Sequence, residues 1–186
     1  MLECYALFNG ATAILGILLS TTALSTSPLV RAVSIADWQP QMGDHLLVDT
    51  RENEGYLVHP NGDYLSFPVV TGKRRVVRYI GRTYDATTPA RTWTMTSREI
   101  KWDRITFGPS GRFLRLSHQG EKTPYGFHEY AHEDEMFALA PRYGSMGCII
   151  VRSTILDLIE KTFNLNEGAL QVSTQYGIDP TLFVLH

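Results

Sequence analysis

The chain has 186 residues, of which 44% are hydrophobic, with a formal net charge of -2 and a pI near 6.3. A chain of this length falls in the usual range for one domain and can bury most of its apolar surface in a single core. Neither value gives the basic footprint of a nucleic-acid-binding protein, although Lys73, Arg74, Arg75 and Arg78 form a local basic cluster. We therefore expect one compact domain and no nucleic-acid partner.

The N-terminal segment predicts export. Ala11 to Leu24 is an uncharged run of apolar and small residues, which suits the hydrophobic region of a signal peptide and is short for a membrane span. Val30-Arg31-Ala32 offers a small-residue cleavage site. The usual charge bias is reversed, because Glu3 precedes the run and Arg31 follows it. A signal peptide and an uncleaved anchor both fit this pattern, and a buried core helix is the alternative.

The middle of the chain predicts a mainly β fold. Short runs rich in Leu, Val, Tyr and Phe are separated by Gly and Pro, which is typical of strands and turns. Pro60-Asn61-Gly62 predicts a hairpin between two of them. The predicted strands are Leu46 to Asp49, Gly55 to His59, Asp63 to Val70, Arg74 to Ile80, Arg91 to Ser97, Gly111 to Ser117, Glu135 to Leu139 and Cys148 to Val151.

One helix is predicted after Cys148. Thr154 and Asp157 form a capping-box pattern at its start. Apolar residues then recur at helical spacing, at Ile155, Leu156, Ile159 and Phe163. The segment from Gly168 to His186 is expected to form a final strand and a tail.

A reactive thiol is predicted at Cys148. Of the chain's two cysteines, Cys4 lies in the segment expected to be removed or membrane-embedded, so the exported domain would hold Cys148 alone. A lone cysteine is disfavoured in an oxidising compartment unless its reactivity is used. In Ser145-Met146-Gly147-Cys148-Ile149 the glycine lets the backbone approach a substrate carbonyl. This chemistry suits a thiol acyl-transfer enzyme, and a small buried hydrophobic residue is the alternative.

A thiol of ordinary pKa needs a base at neutral pH. His128 ends the segment Tyr125-Gly126-Phe127-His128, twenty residues before Cys148, and Gly126 leaves space beside it. We expect His128 to act as base towards the thiol and as acid towards the leaving amine. His132 is the alternative, sixteen residues before Cys148, but an acidic run from Glu133 to Glu135 follows it. The backbone N–H groups of Gly147 and Cys148 are the expected oxyanion hole.

These segments resemble the L,D-transpeptidase (YkuD-type) catalytic domain family, whose signature is Gly-Ile/Leu-His followed by Ser-x-Gly-Cys-Ile/Val. The resemblance covers roughly residues 44–163, in blocks that keep the family's order. Besides the histidine and cysteine segments, the matching blocks are His45 to Arg51, Phe67 to Lys73 and Thr88 to Trp93.

The chain departs from the common pattern at two positions. Met146 stands where many members have His, and Ile150 stands where many have Arg. Arg152 follows Cys148 by four residues and would share its face on an extended strand, which makes Arg152 the nearest substitute for the missing Arg. We expect Arg152, Met146 and Gly126 to contact the substrate, and Ser145 and Gly147 to support the cysteine loop.

The resemblance implies a YkuD-like β-sandwich of mixed sheets and an enzyme of the cell envelope, in the periplasm or cell wall, acting on peptidoglycan stem peptides. Cys148 would form a thioester with a tetrapeptide stem and pass it to an amine. Transfer to water would make the protein an L,D-carboxypeptidase or hydrolase, and a catalytically silent envelope-binding module is a further alternative. No metal or other cofactor is expected. The expected divisions are 1–32 signal peptide or anchor, 33–43 linker, 44–173 catalytic domain and 174–186 tail.

Overall fold

A computed structural model describes residues 30–179 of the chain. The predicted signal peptide or anchor lies almost entirely outside these residues. Within residues 30–179 no helix is long and apolar enough to cross a membrane.

The main element is a curled, eight-stranded mixed sheet in the order β11-β9-β8-β7-β12-β1-β2-β3. The other four strands form two small two-stranded sheets, β10-β4 and β5-β6. The strand bounds are β1 His45–Asp49, β2 Glu54–Val58, β3 Tyr64–Pro68, β4 Thr71–Gly72, β5 Val76–Tyr79, β6 Arg82–Asp85, β7 Arg91–Ile100, β8 Arg112–His118, β9 Glu121–His128, β10 Tyr143–Ser145, β11 Ile149–Ile150 and β12 Leu170–Gln175. The helices are α1 Glu133–Phe137 and α2 Ser153–Leu165.

The core lies between one face of the sheet and α2. Apolar residues alternate with exposed ones along β12, where Leu170 and Val172 are buried, as period-two strands require. The buried stripe of α2 comprises Ile155, Leu156 and Ile159 with Phe163, the spacing expected from the sequence. A mainly β fold with a helix after the cysteine is therefore confirmed.

The cysteine loop is joined to the main sheet on both sides. β11 pairs in parallel with β9, placing Ile149 opposite Phe127 and Ile150 opposite His128. Val70, just before β4, forms an antiparallel bridge with Ile150. Because β4 also pairs with β10, the chain entering the loop and the chain leaving it are held by neighbouring strands.

Two local predictions were wrong. The segment from Glu135 to Leu139 was expected to be a strand, but it lies in α1 and the turn that follows. The capping box at Thr154 and Asp157 does not form, because Arg152 is the N-cap of α2 and Asp157 pairs with Arg112 instead.

The predicted linker and tail also contribute to the fold. Trp38, within residues 33–43, is 2% exposed and belongs to the main core. At the other end, β12 runs through Gln175, and Thr174 is 1% exposed. Trp38 and the first two residues of the predicted tail, Thr174 and Gln175, therefore pack as parts of the domain.

Candidate active site

The loop from Ser145 to Cys148 is closed by its own serine. Ser145 Oγ donates a hydrogen bond to the Cys148 carbonyl and accepts one from the Gly147 N–H at 3.1 Å. Gly147 has a φ of +117°, a conformation that side-chain-bearing residues rarely adopt, and a Cβ there would lie 2.9 Å from the Tyr125 ring. Glycine is therefore required before the cysteine on two independent grounds.

Thr88 ties this loop to a second segment. Its hydroxyl donates to the Gly147 carbonyl at 2.9 Å and accepts from the Gly72 N–H at 2.9 Å. Thr88 is 4% exposed, so both bonds are shielded from water. The Thr-Pro motif at residues 88–89 thus fixes the position of the glycine that precedes Cys148.

The strands bring His128 and Cys148 to one face of the sheet. Cys148 directly precedes β11, so the parallel register sets it beside Gly126. Side chains two residues apart on a strand share a face. His128, two residues after Gly126, therefore lies on the same side of the sheet as Cys148. Gly126 must be small, because a Cβ there would lie 2.5 Å from the Phe113 ring.

The His128 imidazole is deeply buried. Phe107 and Phe113 pack against it, with ring centroids 5.0 and 6.1 Å away. Its Nδ1 lies 2.6 Å from the carbonyl oxygen of Glu129, an acceptor, so this nitrogen carries the proton and Nε2 remains unprotonated in the neutral ring. Burial lowers the pKa of His128, although the carbonyl groups of Glu129 and Thr106 favour the protonated ring. The imidazole is thus held neutral, as a base requires.

The Cys148 thiol is protonated at neutral pH. Burial raises its pKa to about 11, and the backbone N–H of Gly126 with the charges of Arg115 and Lys101 only partly offsets this effect. The Cys148 residue is half-buried, and its Sγ donates a weak hydrogen bond to the Pro124 carbonyl at 3.7 Å. In this structure Sγ therefore contacts backbone groups of Pro124 and Gly126 on β9.

Arg115 and Lys101 were missed by the sequence analysis. Arg115 pairs with Gly126 across β8 and β9, which places it on the face that carries Cys148. Its guanidinium binds Glu99 through two nitrogens and also donates to the Thr123 carbonyl. Lys101 Nζ lies 2.6 Å from the same Glu99. Arg115, Lys101 and Glu99 come together through strand pairing, and no local sequence motif predicts their proximity.

Arg152 does not lie on an extended strand with Cys148. β11 ends at Ile150, and the Arg152 guanidinium pairs with Asp134 at 2.9 Å and Glu133 at 3.3 Å. A role for Arg152 in binding substrate stays a prediction, since its charge is already shared with acidic side chains.

The remaining predicted site positions differ in burial. Ile150 is 2% exposed and packs in the interior, whereas Met146 in the cysteine loop is half-buried. His132 follows the end of β9 as the N-cap of α1, and its ring packs near Tyr130 with a 6.0 Å centroid distance. His128 is thus the histidine that lies on a strand next to the cysteine strand. Among residues 30–179, no three His, Cys, Asp or Glu side chains form a group that could hold a metal ion.

The model of the YkuD family, described as the L,D-transpeptidase catalytic domain, matches residues 43–167. The chain belongs to this family. The match covers both sequence blocks that contain His128 and Cys148. No curated protein matches the chain.

Solved structures share the L,D-transpeptidase fold at low identity. An L,D-transpeptidase from Xylanimonas cellulosilytica is 17% identical with a TM-score of 0.52, and the match covers 75% of this chain and 66% of that one. Bd1075 of Bdellovibrio bacteriovorus is 14% identical with a TM-score of 0.52, covering 75% and 50%. The helical cell shape determining protein Pgp2 of Campylobacter jejuni is 14% identical with a TM-score of 0.50, covering 79% and 54%. The matches span between half and about two thirds of these structures.

Proposed function

We propose that this domain is a peptidoglycan L,D-transpeptidase in which Cys148 is the nucleophile and His128 is the general base. The observation that carries the proposal is the placement of a half-buried thiol and a neutral, buried imidazole on one face of the adjacent strands β11 and β9.

The chemistry starts from a neutral pair. The His128 imidazole takes the thiol proton as Sγ attacks the carbonyl of the diamino acid that precedes the terminal D-alanine of a tetrapeptide stem. The C–N bond then breaks, the imidazolium returns the proton to the leaving D-alanine amine, and a thioester remains on Cys148. An amine acceptor then attacks the thioester carbonyl and gives a proton to His128. The C–S bond breaks as the new amide forms, and the imidazolium returns the proton to the Cys148 sulfur.

Rotation about the Cys148 Cα–Cβ bond is needed before the first step, because the resting thiol donates to the Pro124 carbonyl. Such a rotation exchanges one weak sulfur hydrogen bond for one to the imidazole. The Ser145 and Thr88 bonds hold the loop backbone in place during this change.

The test is product analysis with a defined disaccharide-tetrapeptide and an added amine acceptor. The wild-type protein should release D-alanine and form the amide, and Cys148→Ala should release none while remaining folded. His128→Ala should lose most turnover, whereas His132→Ala should retain it. Release of D-alanine that yields only the tripeptide, even with the amine in excess, would assign the same site to an L,D-carboxypeptidase.

A catalytically silent envelope-binding module is the second candidate. The observations that favour it are the pKa of about 11 for the Cys148 thiol and its orientation towards Pro124. A thiol-reactive carbapenem separates the two candidates, since a covalent adduct mapped to Cys148 supports the enzyme. A folded protein that gains no adduct and releases no D-alanine would support the module.

A further inference from the structure

A basic hairpin lies directly beside the cysteine loop. It consists of β5 and β6, and its base is closed by the Ala86 N–H donating to the Arg75 carbonyl at 3.0 Å. Ala86 O would lie 3.8 Å from a Cβ on Gly147, so the base of the hairpin lies against the glycine before Cys148. The hairpin therefore forms a wall at the site's edge.

The two faces of this hairpin differ in burial. Val77 pairs with Tyr84, and both are half-buried. Their neighbours on the same face are Tyr79 and Arg82, which pair with each other. We call these four residues the inner face.

The opposite face, which we call the outer face, has no half-buried residue like Val77 or Tyr84 of the inner face. It carries Val76, Arg78, Thr83 and Asp85, each of them exposed to solvent. Since strand side chains alternate between faces, this contrast shows which face looks towards the body of the domain.

The inner face is electrostatically close to the nucleophile. The pKa of Tyr84 is raised first by burial and then by the charge of the Cys148 thiolate. Tyr125, whose ring packs against Gly147, is influenced by both Cys148 and Tyr84. In a ligand that reaches Cys148 along this wall, the part nearer Cys148 would lie against Tyr84, and the part further from Cys148 would lie against Arg82.

The hairpin and the segment that leads into it carry five basic residues and one acidic residue, Asp85. Lys73, Arg74, Arg75, Arg78 and Arg82 provide five of the chain's 17 basic residues, although the chain as a whole has a net charge of -2. Within the described residues 30–179 none of these five forms an ion pair with an acidic side chain. Arg112, Arg115, Arg142 and Arg152, by contrast, are all paired.

We propose that the inner face of the β5-β6 hairpin is a binding subsite for the acidic peptide stem that the proposed transpeptidase acts on. Arg82 pairs with a free carboxylate of the stem, and Tyr79 and Tyr84 cover the apolar parts of the peptide between that carboxylate and Cys148. The proposal rests on the proposed function for its ligand. A guanidinium with no competing acid binds a carboxylate through charge-assisted hydrogen bonds.

The test measures binding without chemistry. A soluble disaccharide-tetrapeptide is titrated into the Cys148→Ala protein by calorimetry, and Arg82→Gln is then added to this background. We expect affinity to fall roughly five- to tenfold, which corresponds to one charge-assisted hydrogen bond lost at a partly exposed site. The same ligand with its carboxylates converted to carboxamides should bind more weakly and be insensitive to Arg82→Gln.

Arg78→Gln is the matched control, because it removes the same charge from the outer face of the same hairpin. It should change affinity by less than about twofold. Tyr79→Ala should weaken binding of both the acidic and the amidated ligand, since its contact is apolar.

Equal losses for Arg82→Gln and Arg78→Gln would overturn the proposal in favour of unspecific electrostatic attraction. Unchanged affinity in the folded Arg82→Gln variant, or no measurable binding to the Cys148→Ala parent, would overturn it as well. Turnover of the same ligand by the protein with Cys148 intact reports separately on the proposed function, so the two failures remain distinguishable.

Discussion

Burial, rather than the two nearby cations, sets the resting state of the Cys148 thiol. Arg115 and Lys101 both favour the thiolate, but the desolvation of Sγ outweighs them and the pKa of Cys148 rises to about 11. His128 is also held in its neutral form by burial. The two groups therefore start as thiol and imidazole, and the thiolate forms only as its proton moves to the base.

We predict that alkylation of Cys148 shows no plateau near neutral pH. Below the thiol pKa the thiolate fraction rises roughly tenfold per pH unit, so the iodoacetamide rate should climb steadily from pH 7 to 10. A Cys4→Ala background leaves Cys148 as the chain's one thiol, and glutathione in the same buffers is the reference. A plateau below pH 9 would contradict the prediction and show that neighbouring groups stabilise the thiolate in the free enzyme.

At the scale of strands and helices, the β7-β8 pair carries the charges that face the thiol. Glu99 on β7 binds both Arg115 and Lys101, and its pKa is lowered to about 2, chiefly by the side-chain hydrogen bond from Arg115. The acid thereby cancels part of the positive field that reaches Cys148 from these strands.

We predict opposite effects for the two members of this pair. Glu99→Gln removes the counter-charge, so the pKa of Cys148 should fall by roughly one unit or less. The alkylation rate of Cys148 at pH 8 should then rise several-fold. Arg115→Gln should raise that pKa and slow alkylation. Rates that move in the same direction in both variants would show a change of access to Cys148 rather than of charge.

A second charged cluster joins the sheet to α2. Arg112 on β8 donates to Ser110, contacts Asp157 and Glu160 of α2 at 2.6 and 2.8 Å, and binds Glu129 at 2.5 Å. Glu129 is 3% exposed and follows His128 directly, so its carboxylate is a buried charge that needs this partner.

Arg112→Met should therefore cost about 3–5 kcal/mol of unfolding free energy, because it leaves the Glu129 carboxylate buried and unpaired. Arg98→Met is the control, since Arg98 also pairs with Glu160 but its side chain is 42% exposed. That variant should cost under about 1 kcal/mol. Urea denaturation measures both, and equal costs would mean that Glu129 is stabilised by other groups.

Local sequence patterns predicted the elements where burial has a simple period. The α2 stripe and the hairpin at Asn61-Gly62 follow from spacing and turn chemistry alone. The strand prediction for Glu135 to Leu139 was wrong because a short segment with Met, Phe and Leu has no periodicity that separates a strand from a helix. Three acidic residues in the first turn of α1 favour the helix. The capping box failed because Asp157 pairs with an arginine from a distant strand.

The candidate site also combines residues that local motifs predict with residues that strand pairing brings together. The placement of His128 and Cys148 on neighbouring strands follows from two contiguous motifs, and their catalytic roles stay predictions. Arg115 and Glu99 could not, since the register of β7, β8 and β9 brings them to the thiol. The Arg152 expectation assumed a longer β11, and the strand's length depends on where α2 begins.

At the scale of the whole domain, residues 32–44, which precede β1, pack as part of the fold. The Trp38 ring stacks on His59 at a centroid distance of 3.8 Å, and His59 Nδ1 lies 2.6 Å from the buried Asp44. Ala32 bridges to Tyr64, so this segment also covers part of the edge strand β3.

Trp38→Ala should cost about 3–5 kcal/mol, the usual loss for a large buried aromatic side chain. Trp102→Ala is the control, because Trp102 is 88% exposed and its removal should cost less than about 0.5 kcal/mol. Thermal or urea unfolding distinguishes the two. A small loss for Trp38→Ala would mean that residues 33–43 behave as the linker the sequence suggested.

The position of β12 has a consequence for the timing of folding. This strand, completed at Gln175, lies between β1 and β7 and pairs with both, so it joins the β1-β3 meander to the β7-β9 meander that carries His128. During synthesis, each meander emerges with one edge open, and the two halves cannot be joined until β12 has left the ribosome. Contacts as distant in sequence as Thr50 and Gln175, 125 residues apart, make such closure slow. The two meanders thus stay unjoined until β12 pairs with β1 and β7.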